Sequence, residues 1–413
     1  MTPILIVANS ATLGGASLSL LELLLRLPQA GYLATVVVPE PGHLADAAGQ
    51  AGAEVRVIPQ PPWVSPGTLD AWLYAVRQIP EAVTRLGALI DETRPALVWT
   101  NSATIPAGAL AAARARVPHL WFIQEFLGQG GMGGPLDATT LLGCIQGLST
   151  RVVAISTALR AAFPEPDAVA MVSAPVALGP FRQLRPDLTA PVIVSLGTIS
   201  ASKGLGDLAG AAILLAERGV DFRVQVMGDF YYADYLAAIE RRLTRAGVRG
   251  RFQFIPYQRD IAPGLARCGL YCCPSHTEGL SRTIIEAMAA GLPVVATDCG
   301  GPRDLVVDGV TGRLVPVRHP RALADALAEL LQDPARRTAM GQAGRAAVAD
   351  FDSEVVVPRL IEQIEVCRQA SPVPRSTAAL AELWLTLLRE AGPRVLLGKK
   401  WQLLRPLLGY KKL

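Results

Sequence analysis

The sequence has no long uninterrupted apolar run, no cysteine framework and no large excess of charge of either sign, and each absence excludes a class of protein. Apolar residues make up 51% of the 413 residues and mean hydropathy is +0.33, which raises the question of a membrane span. The charge-free stretch 95–113 carries Thr100, Asn101, Ser102, Thr104 and Pro106 at its middle. It therefore reads as a strand, a polar loop and an alanine-rich helix, not as a bilayer-crossing segment. Met1-Thr2-Pro3-Ile4-Leu5-Ile6-Val7 shows neither the basic region nor the cleavage site of a secretory signal and reads as a first buried strand, so a cytoplasmic location is expected. Cys144, Cys268, Cys272, Cys273, Cys299 and Cys367 follow neither disulfide nor zinc-site spacing and are expected as buried free thiols.

The net charge of +4 is concentrated at one end. Residues 371–413 hold eight Lys/Arg and two Glu, leaving 31 Lys/Arg against 33 Asp/Glu in 1–370. A nearly neutral body gives no electrostatic footprint for nucleic acid, and none is expected as a partner. The tail places Leu380, Leu383, Trp384, Leu387 and Leu388 at helical spacing, followed by Lys399, Lys400, Trp401, Arg405, Tyr410, Lys411 and Lys412. Two readings stay open for this basic amphipathic extension: peripheral contact with the inner face of a membrane, or packing of the stripe on the N-terminal domain with the lysines in water.

Along the body, short apolar runs alternate with helix-like stretches, the pattern of a parallel sheet with crossover helices. Strands are expected at 4–8, 35–39, 54–58, 97–100, 120–123 and 152–155, with helices at 18–27 and 69–91. The chain turns polar and proline-bearing at 181–189, where an interdomain linker is expected. The pattern then restarts, with strands at 192–196, 223–227, 252–255, 270–272, 294–297 and 314–315 and helices at 206–218, 233–246, 281–290 and 320–331. This predicts an α/β fold of two doubly wound domains, 1–183 and 190–355, a helix at 356–370 crossing back to the first domain, and the extension 371–413. Two such domains are expected to hold ligands in the cleft at the carboxyl ends of their strands.

The run 274–293, Pro274-Ser275-His276-Thr277-Glu278-Gly279-Leu280-Ser281-Arg282-Thr283-Ile284-Ile285-Glu286-Ala287-Met288-Ala289-Ala290-Gly291-Leu292-Pro293, leaves a strand, passes a polar loop and enters a helix. Ser281 is the expected N-cap, Gly291 the C′ residue, and Pro293 stands just beyond. Such a helix start offers free N–H groups and its positive dipole end to a phosphate, while a carboxylate accepts paired hydroxyls of a sugar. Spacing alone equally allows Glu286 as an ordinary helix residue and Glu278 as a solvated loop acid.

This run resembles the E-x7-E signature of the retaining glycosyltransferases of the GT-B fold, glycosyltransferase family four, also described as glycosyl transferases group 1. Pro274-Ser275, Glu286-Ala287-Met288-Ala289, Gly291, Pro293-Val294-Val295-Ala296 and Gly300-Gly301 match as well, with Asp304 where the family usually has glutamate. The resemblance implies two Rossmann-like domains facing a central cleft. It gives Glu278 the hydroxyls of the transferred sugar and Glu286 the nucleotide ribose, with Gly279, Leu280, Ser281, Arg282 and Thr283 near the diphosphate. In 194–204, Gly197 and Lys203 match the donor-domain loop, and Thr198 stands where the family commonly has arginine. Arg282 either replaces that cation or covers the loop as a solvated side chain. Gly228 matches the next glycine turn.

In the first domain Gly14-Gly15-Ala16 resembles the family's glycine loop. Gln124 takes the position of a histidine near the transferred sugar, His119 is expected to be structural, and Asn101 and Glu125 are polar groups at cleft-facing strand ends. The glycine-rich segment 128–134 reads either as a lid over the acceptor or as a mobile surface loop. Asp350-Phe351-Asp352 spells the metal motif of a different glycosyltransferase fold but lies before a C-terminal helix, and is read as chance. No metal and no cofactor is expected beyond the nucleotide sugar itself as substrate, and the implied acceptor is a glycan or a lipid-linked glycan. A nucleotide-sugar epimerase or a phosphorylase on the same fold, or a binding subunit weakened at Thr198 and Gln124, are the competing readings.

Overall fold

Parallel strands covered on both faces by crossover helices must be apolar on both sides. The sequence meets this condition, with Leu5, Ile6, Val7, Val36, Val37, Val38, Val294 and Val295 fully buried. The computed structural model describes residues 1–64, 69–128, 137–230 and 232–370; most of the glycine-rich segment 128–134 and all of the extension 371–413 lie outside the described residues. Two compact units form, 176–353 and the remainder of the chain on either side of it.

The first unit carries one parallel sheet: β1 (Thr2–Val7), β2 (Tyr32–Val38), β3 (Glu54–Val57), β4 (Val98–Thr100), β5 (His119–Ile123), β6 (Arg151–Ala154) and β7 (Ala170–Met171), in the order β3-β2-β1-β4-β5-β6-β7. The second carries β8 (Val192–Leu196), β9 (Arg223–Gly228), β10 (Phe252–Pro256), β11 (Leu270–Cys273), β12 (Val294–Thr297) and β13 (Gly312–Val315), in the order β10-β9-β8-β11-β12-β13. In each sheet the strand order reverses once, between β1 and β4 and between β8 and β11. Ligands of open α/β sheets bind outside the carboxyl ends of the strands at such a reversal. Topology therefore singles out the loops after β1 and β4, and those after β8 and β11.

The unit division falls at 175/176 and not within 181–189. That segment is held inside the second unit by two arginines of the helix Pro334–Ala347: Arg345 donates to the carbonyls of Arg182 (3.2 Å) and Leu184 (2.9 Å), and Arg337 to those of Thr189 (3.3 Å) and Ala190 (2.9 Å). Val176 is tied to the other end of the unit, its N–H donating to Phe351 and its carbonyl accepting from Ser353. The helix Ser353–Gln369 groups with the first unit, where Tyr32 donates to Glu365 and Arg151 reaches Gln363 at 2.8 Å. Helix Gly15–Leu24 starts and ends three residues ahead of the span 18–27, because the glycines begin it and the chain after Leu24 tightens into turns closed by Gly31 at φ 83°. Among the described residues no helix is long and apolar enough to cross a membrane.

Candidate functional site

The loop after β11 leads into the helix Arg282–Ala289. That helix closes as a Schellman motif: Gly291, at φ 84°, donates to Met288, and Leu292 donates to Ala287. At the other end Ser281 occupies the N-cap position but does not cap with its side chain. Its backbone is left-handed, at φ 83°, and the hydroxyl sits 3.3 Å from Thr283 Oγ1. The first N–H groups of the helix are therefore left without a side-chain cap, at the positive end of the helix dipole.

Glu286 lies in the second turn and is only 6% exposed. Arg282 Nε donates to its Oε1 at 2.7 Å, one turn apart on the same face. Burial pushes the Glu286 carboxyl up, and the charge and hydrogen bond of Arg282 oppose that. Arg282 is thus neither a solvated cover nor a free replacement cation: its side chain is 15% exposed and committed to Glu286.

The loop after β8 brings Lys203 to the same place. Lys203 Nζ lies 2.7 Å from Glu278 Oε1, and Ser275 Oγ donates to that oxygen at 2.7 Å. Burial pulls the ammonium down, but Glu278, by charge and by hydrogen bond, outweighs it and leaves Lys203 above its ordinary value. The Glu278 side chain is 13% exposed, drawn in from the rim by these two donors. Backbone contacts fix the juxtaposition. Gly204 has φ 71°, and a Cβ there would stand 1.8 Å from the Pro274 carbonyl oxygen. His276 donates its N–H to the Ser202 carbonyl at 2.7 Å, and its Nε2 lies 2.7 Å from Asp207 Oδ2 in the helix Leu205–Glu217. On the far side Gly301 donates to the Glu278 carbonyl at 2.9 Å, and a Cβ on Gly301 would meet the Gly279 oxygen at 2.3 Å. Gly197 and Gly228 approach in the same way, a Cβ on Gly228 falling 1.9 Å from the Gly197 oxygen. Thr198 follows Gly197, half-buried and uncharged.

In the first unit the loops after β1 and β4 also meet. Asn101, 2% exposed, donates to the Ala16 carbonyl at 3.3 Å and accepts from Gln124 at 3.1 Å and from Trp99 at 3.3 Å. Gly14 and Gly15 have open space where a side chain would be, so the helix start Gly15–Leu24 presents bare backbone. The Glu125 carboxylate faces inward: it accepts from the Ala103 N–H at 2.7 Å and from the Ser102 hydroxyl, and so organises the loop after β4. Burial pushes it up, and those donors oppose the shift. His119 opens β5 instead of preceding it. It is buried between Thr100 Oγ1 (2.8 Å) and Ser149 Oγ (3.2 Å), and burial lowers it to about 3, so the ring is a neutral structural group.

Sequence reasoning missed the Asp207–His276 pair and the hydroxyl of Ser275. His276 lies two residues before Glu278, but nothing in the spacing links it to a carboxylate 69 positions away. Five of the six cysteines are buried and all six are free thiols. Asp352 of the Asp350-Phe351-Asp352 motif pairs with Arg182 at 2.7 Å, and among the described residues no group of three or more His, Cys, Asp or Glu could hold a metal ion.

Residues 14–177 match the glycosyl transferase 4-like domain and residues 180–347 the glycosyl transferases group 1 family. The lipopolysaccharide core biosynthesis glycosyltransferase LpsE of Rhizobium meliloti is 30% identical over 174 residues, 42% of this chain and 49% of that one. The GDP-mannose-dependent alpha-(1-6)-phosphatidylinositol monomannoside mannosyltransferase of Mycolicibacterium smegmatis is 32% identical over 192 residues, 44% of this chain and 47% of that one. The chain thus spans about half the length of the curated relatives it matches. Among solved structures, Anabaena HepE in complex with UDP-glucose superposes with a TM-score of 0.74 at 22% identity, covering 89% of this chain and 100% of that one, a likeness of fold. The first half thus carries a glycosyl transferase 4-like domain and the second a glycosyl transferases group 1 domain, on the two-domain GT-B fold.

Proposed function

We propose that this chain transfers a glycosyl group from a nucleoside-diphosphate sugar to a hydroxyl of a glycan or lipid-linked acceptor, with retention of configuration, in polysaccharide or glycolipid assembly. The observation that carries this reading is the contact of Lys203 with Glu278 at the β8/β11 reversal, beside the uncapped start of the helix that holds Glu286. The names of its relatives support the class: one acts in lipopolysaccharide core biosynthesis, another uses GDP-mannose on a phosphatidylinositol mannoside, and the Anabaena neighbour binds UDP-glucose.

In this reading Glu286 accepts the ribose hydroxyls, Glu278 accepts hydroxyls of the transferred sugar, and Lys203 together with the N–H groups from Arg282 onward takes the diphosphate. The leaving diphosphate gains charge as the glycosidic bond breaks, and prearranged donors there stabilise the transition state more than the ground state. No side chain acts as nucleophile: the departing oxygen takes the acceptor proton on the face it leaves, which keeps the anomeric configuration. The reaction needs no metal, since the ammonium and the helix dipole supply the positive charge. Gly14, Gly15, Ala16, Asn101, Gln124 and Glu125 form or support the acceptor side. The extension 371–413 makes the peripheral membrane contact, which liposome flotation of the full chain against one ending at Ser371 tests; equal recovery removes it.

A thermal-shift panel of UDP-, GDP-, ADP- and dTDP-sugars tests the donor site. One class is expected to raise the melting temperature of the native chain and not of Glu286→Ala. The product anomer, read by NMR, then tests retention. An inverted anomer overturns the mechanism, and exchange of sugar configuration without acceptor identifies an epimerase. Binding without turnover identifies a binding subunit.

A further inference from the structure

The second unit has a groove of about 570 Å³ between residues 185–188 and the helix Pro334–Ala347, within the size range of small-molecule sites. Its walls are largely carbon, supplied by Pro186, Leu188, Gly291 and Ala346. Its polar end is formed by two arginines. Arg185 Nη1 and Arg345 Nη2 both donate to the Leu184 carbonyl, each at 2.9 Å, and both guanidinium groups also reach the Arg182 carbonyl, at 3.4 and 3.2 Å. Two like charges therefore converge on the same pair of neutral acceptors. Among the described residues neither arginine pairs with a carboxylate, and Arg185 donates through Nη1 alone, which leaves its remaining N–H groups for a ligand. Burial, and then the charge of Arg185, lower Arg345 from its ordinary value, as expected for a cation held beside another without a counter-ion.

We propose that this groove binds an anionic amphiphile, a phosphomonoester head on an apolar chain, with Arg185 and Arg345 clamping the head and the Pro186, Leu188 and Ala346 walls covering the chain. The Arg185 fork of Nε and Nη2 matches phosphate oxygens two at a time, Arg345, its Nη2 already taken by the Leu184 and Ala290 carbonyls, adds its charge, and a dianionic head relieves the repulsion between the two cations. A carbon-lined groove behind that clamp gains nothing from a bare inorganic anion and favours one that carries apolar surface. Arg345 also donates to the Ala290 carbonyl at 2.5 Å, at the C-terminal end of the helix bearing Glu286, so the groove is hydrogen-bonded to that helix. The site is separate from the Lys203–Glu278 contact and does not depend on the transferase reading.

Calorimetric titration of the full chain with decyl phosphate below its micelle concentration tests the proposal, beside inorganic phosphate and the neutral decyl maltoside. Saturable binding of decyl phosphate is expected, at least about tenfold tighter than either control. Arg185→Glu, a change at an exposed residue, should weaken it at least about tenfold at an unchanged melting temperature. Arg185→Gln, which keeps the length and removes the charge, gives the same ranking if charge reversal disturbs the fold. Lys203→Ala should leave binding intact. Undiminished binding to both Arg185 variants, equal affinity for inorganic phosphate, or loss in Lys203→Ala each overturns the assignment.

Discussion

Arg282→Leu isolates what holds Glu286 ionised. The carboxylate is 6% exposed and accepts a hydrogen bond from Arg282 Nε at 2.7 Å. Removing one member of a buried ion pair leaves the other uncompensated, at a cost of about 3–5 kcal/mol. Glu286 can escape part of that cost by taking a proton, because burial already raises it above the ordinary 4.5 and loss of Arg282 raises it further. The unfolded chain titrates near the ordinary value, so between that value and the raised folded one the native state binds the extra proton. Stability therefore falls as pH rises through this window, and the full cost is present above the folded value. The expected loss is about 3 kcal/mol or more at pH 8 and smaller at pH 5. Urea unfolding of both proteins at the two pH values measures it. Arg282→Leu with Glu286→Leu should recover most of the loss, since an apolar pair of similar volume needs no charge compensation. Equal losses at pH 5 and pH 8 would show that Glu286 carries no buried charge and refute the reasoning.

Lys203→Ala should lower kcat about a hundredfold, some 3 kcal/mol of transition-state stabilisation, yet cost only about 1 kcal/mol of stability because its side chain is 38% exposed; steady-state kinetics beside thermal melts separate the two, and parallel losses count against a role for the ammonium. Gly204→Ala sets a Cβ 1.8 Å from a carbonyl oxygen at φ 71° and should cost about 3 kcal/mol or more, whereas Gly14→Ala meets nothing within 4 Å and should stay within about 1 kcal/mol; denaturant midpoints compare them directly. His119, lowered from 6.5 to about 3, is neutral when folded and takes up a proton when unfolded, so its contribution is complete above pH 6.5 and lost as pH falls toward 3, about 1.4 kcal/mol per unit. His119→Asn should flatten the acid limb of stability between pH 6.5 and 4, and an unchanged slope contradicts the assignment.

What could be read from the sequence was whatever one local stretch encodes. Apolar runs marked the strands, Gly291 and Pro293 marked a helix end, and the interval between Glu278 and Glu286 marked the loop and helix start proposed to hold the donor. The Arg282–Glu286 pair was also legible in principle, as a four-residue spacing on one helix face, but the side chain's choice between water and carboxylate depends on burial that a single stretch does not reveal. The Lys203–Glu278 contact joins positions 75 apart and exists only because β8 and β11 are neighbours in the sheet. Helix Pro334–Ala347 escaped notice because its buried face is made of Arg337, Met340, Gly341 and Gly344, which give no apolar periodicity. The same helix holds 182–190 against the second unit, so missing it also misplaced the boundary.

The residues that distinguish this site are therefore not the ones that align it. Glu278 and Lys203 are flexible side chains whose attraction in partly exposed surroundings is modest. Their separation is set by backbone: the Gly204–Pro274 approach, the His276–Ser202 hydrogen bond, the Asp207–His276 bridge and the Gly301–Glu278 bond join three loops around one point. Each contact is worth about 1 kcal/mol to stability, but together they fix where an ammonium and a carboxylate stand before any ligand arrives. Transition-state stabilisation depends on such prior placement, because a donor that must reorganise spends its interaction energy on moving. In the proposed transferase the glycines at 204 and 301 are therefore expected to matter without carrying a reactive group: a methyl at either position would push apart the loops that hold the charges, and turnover should fall even where the acid and the lysine are untouched.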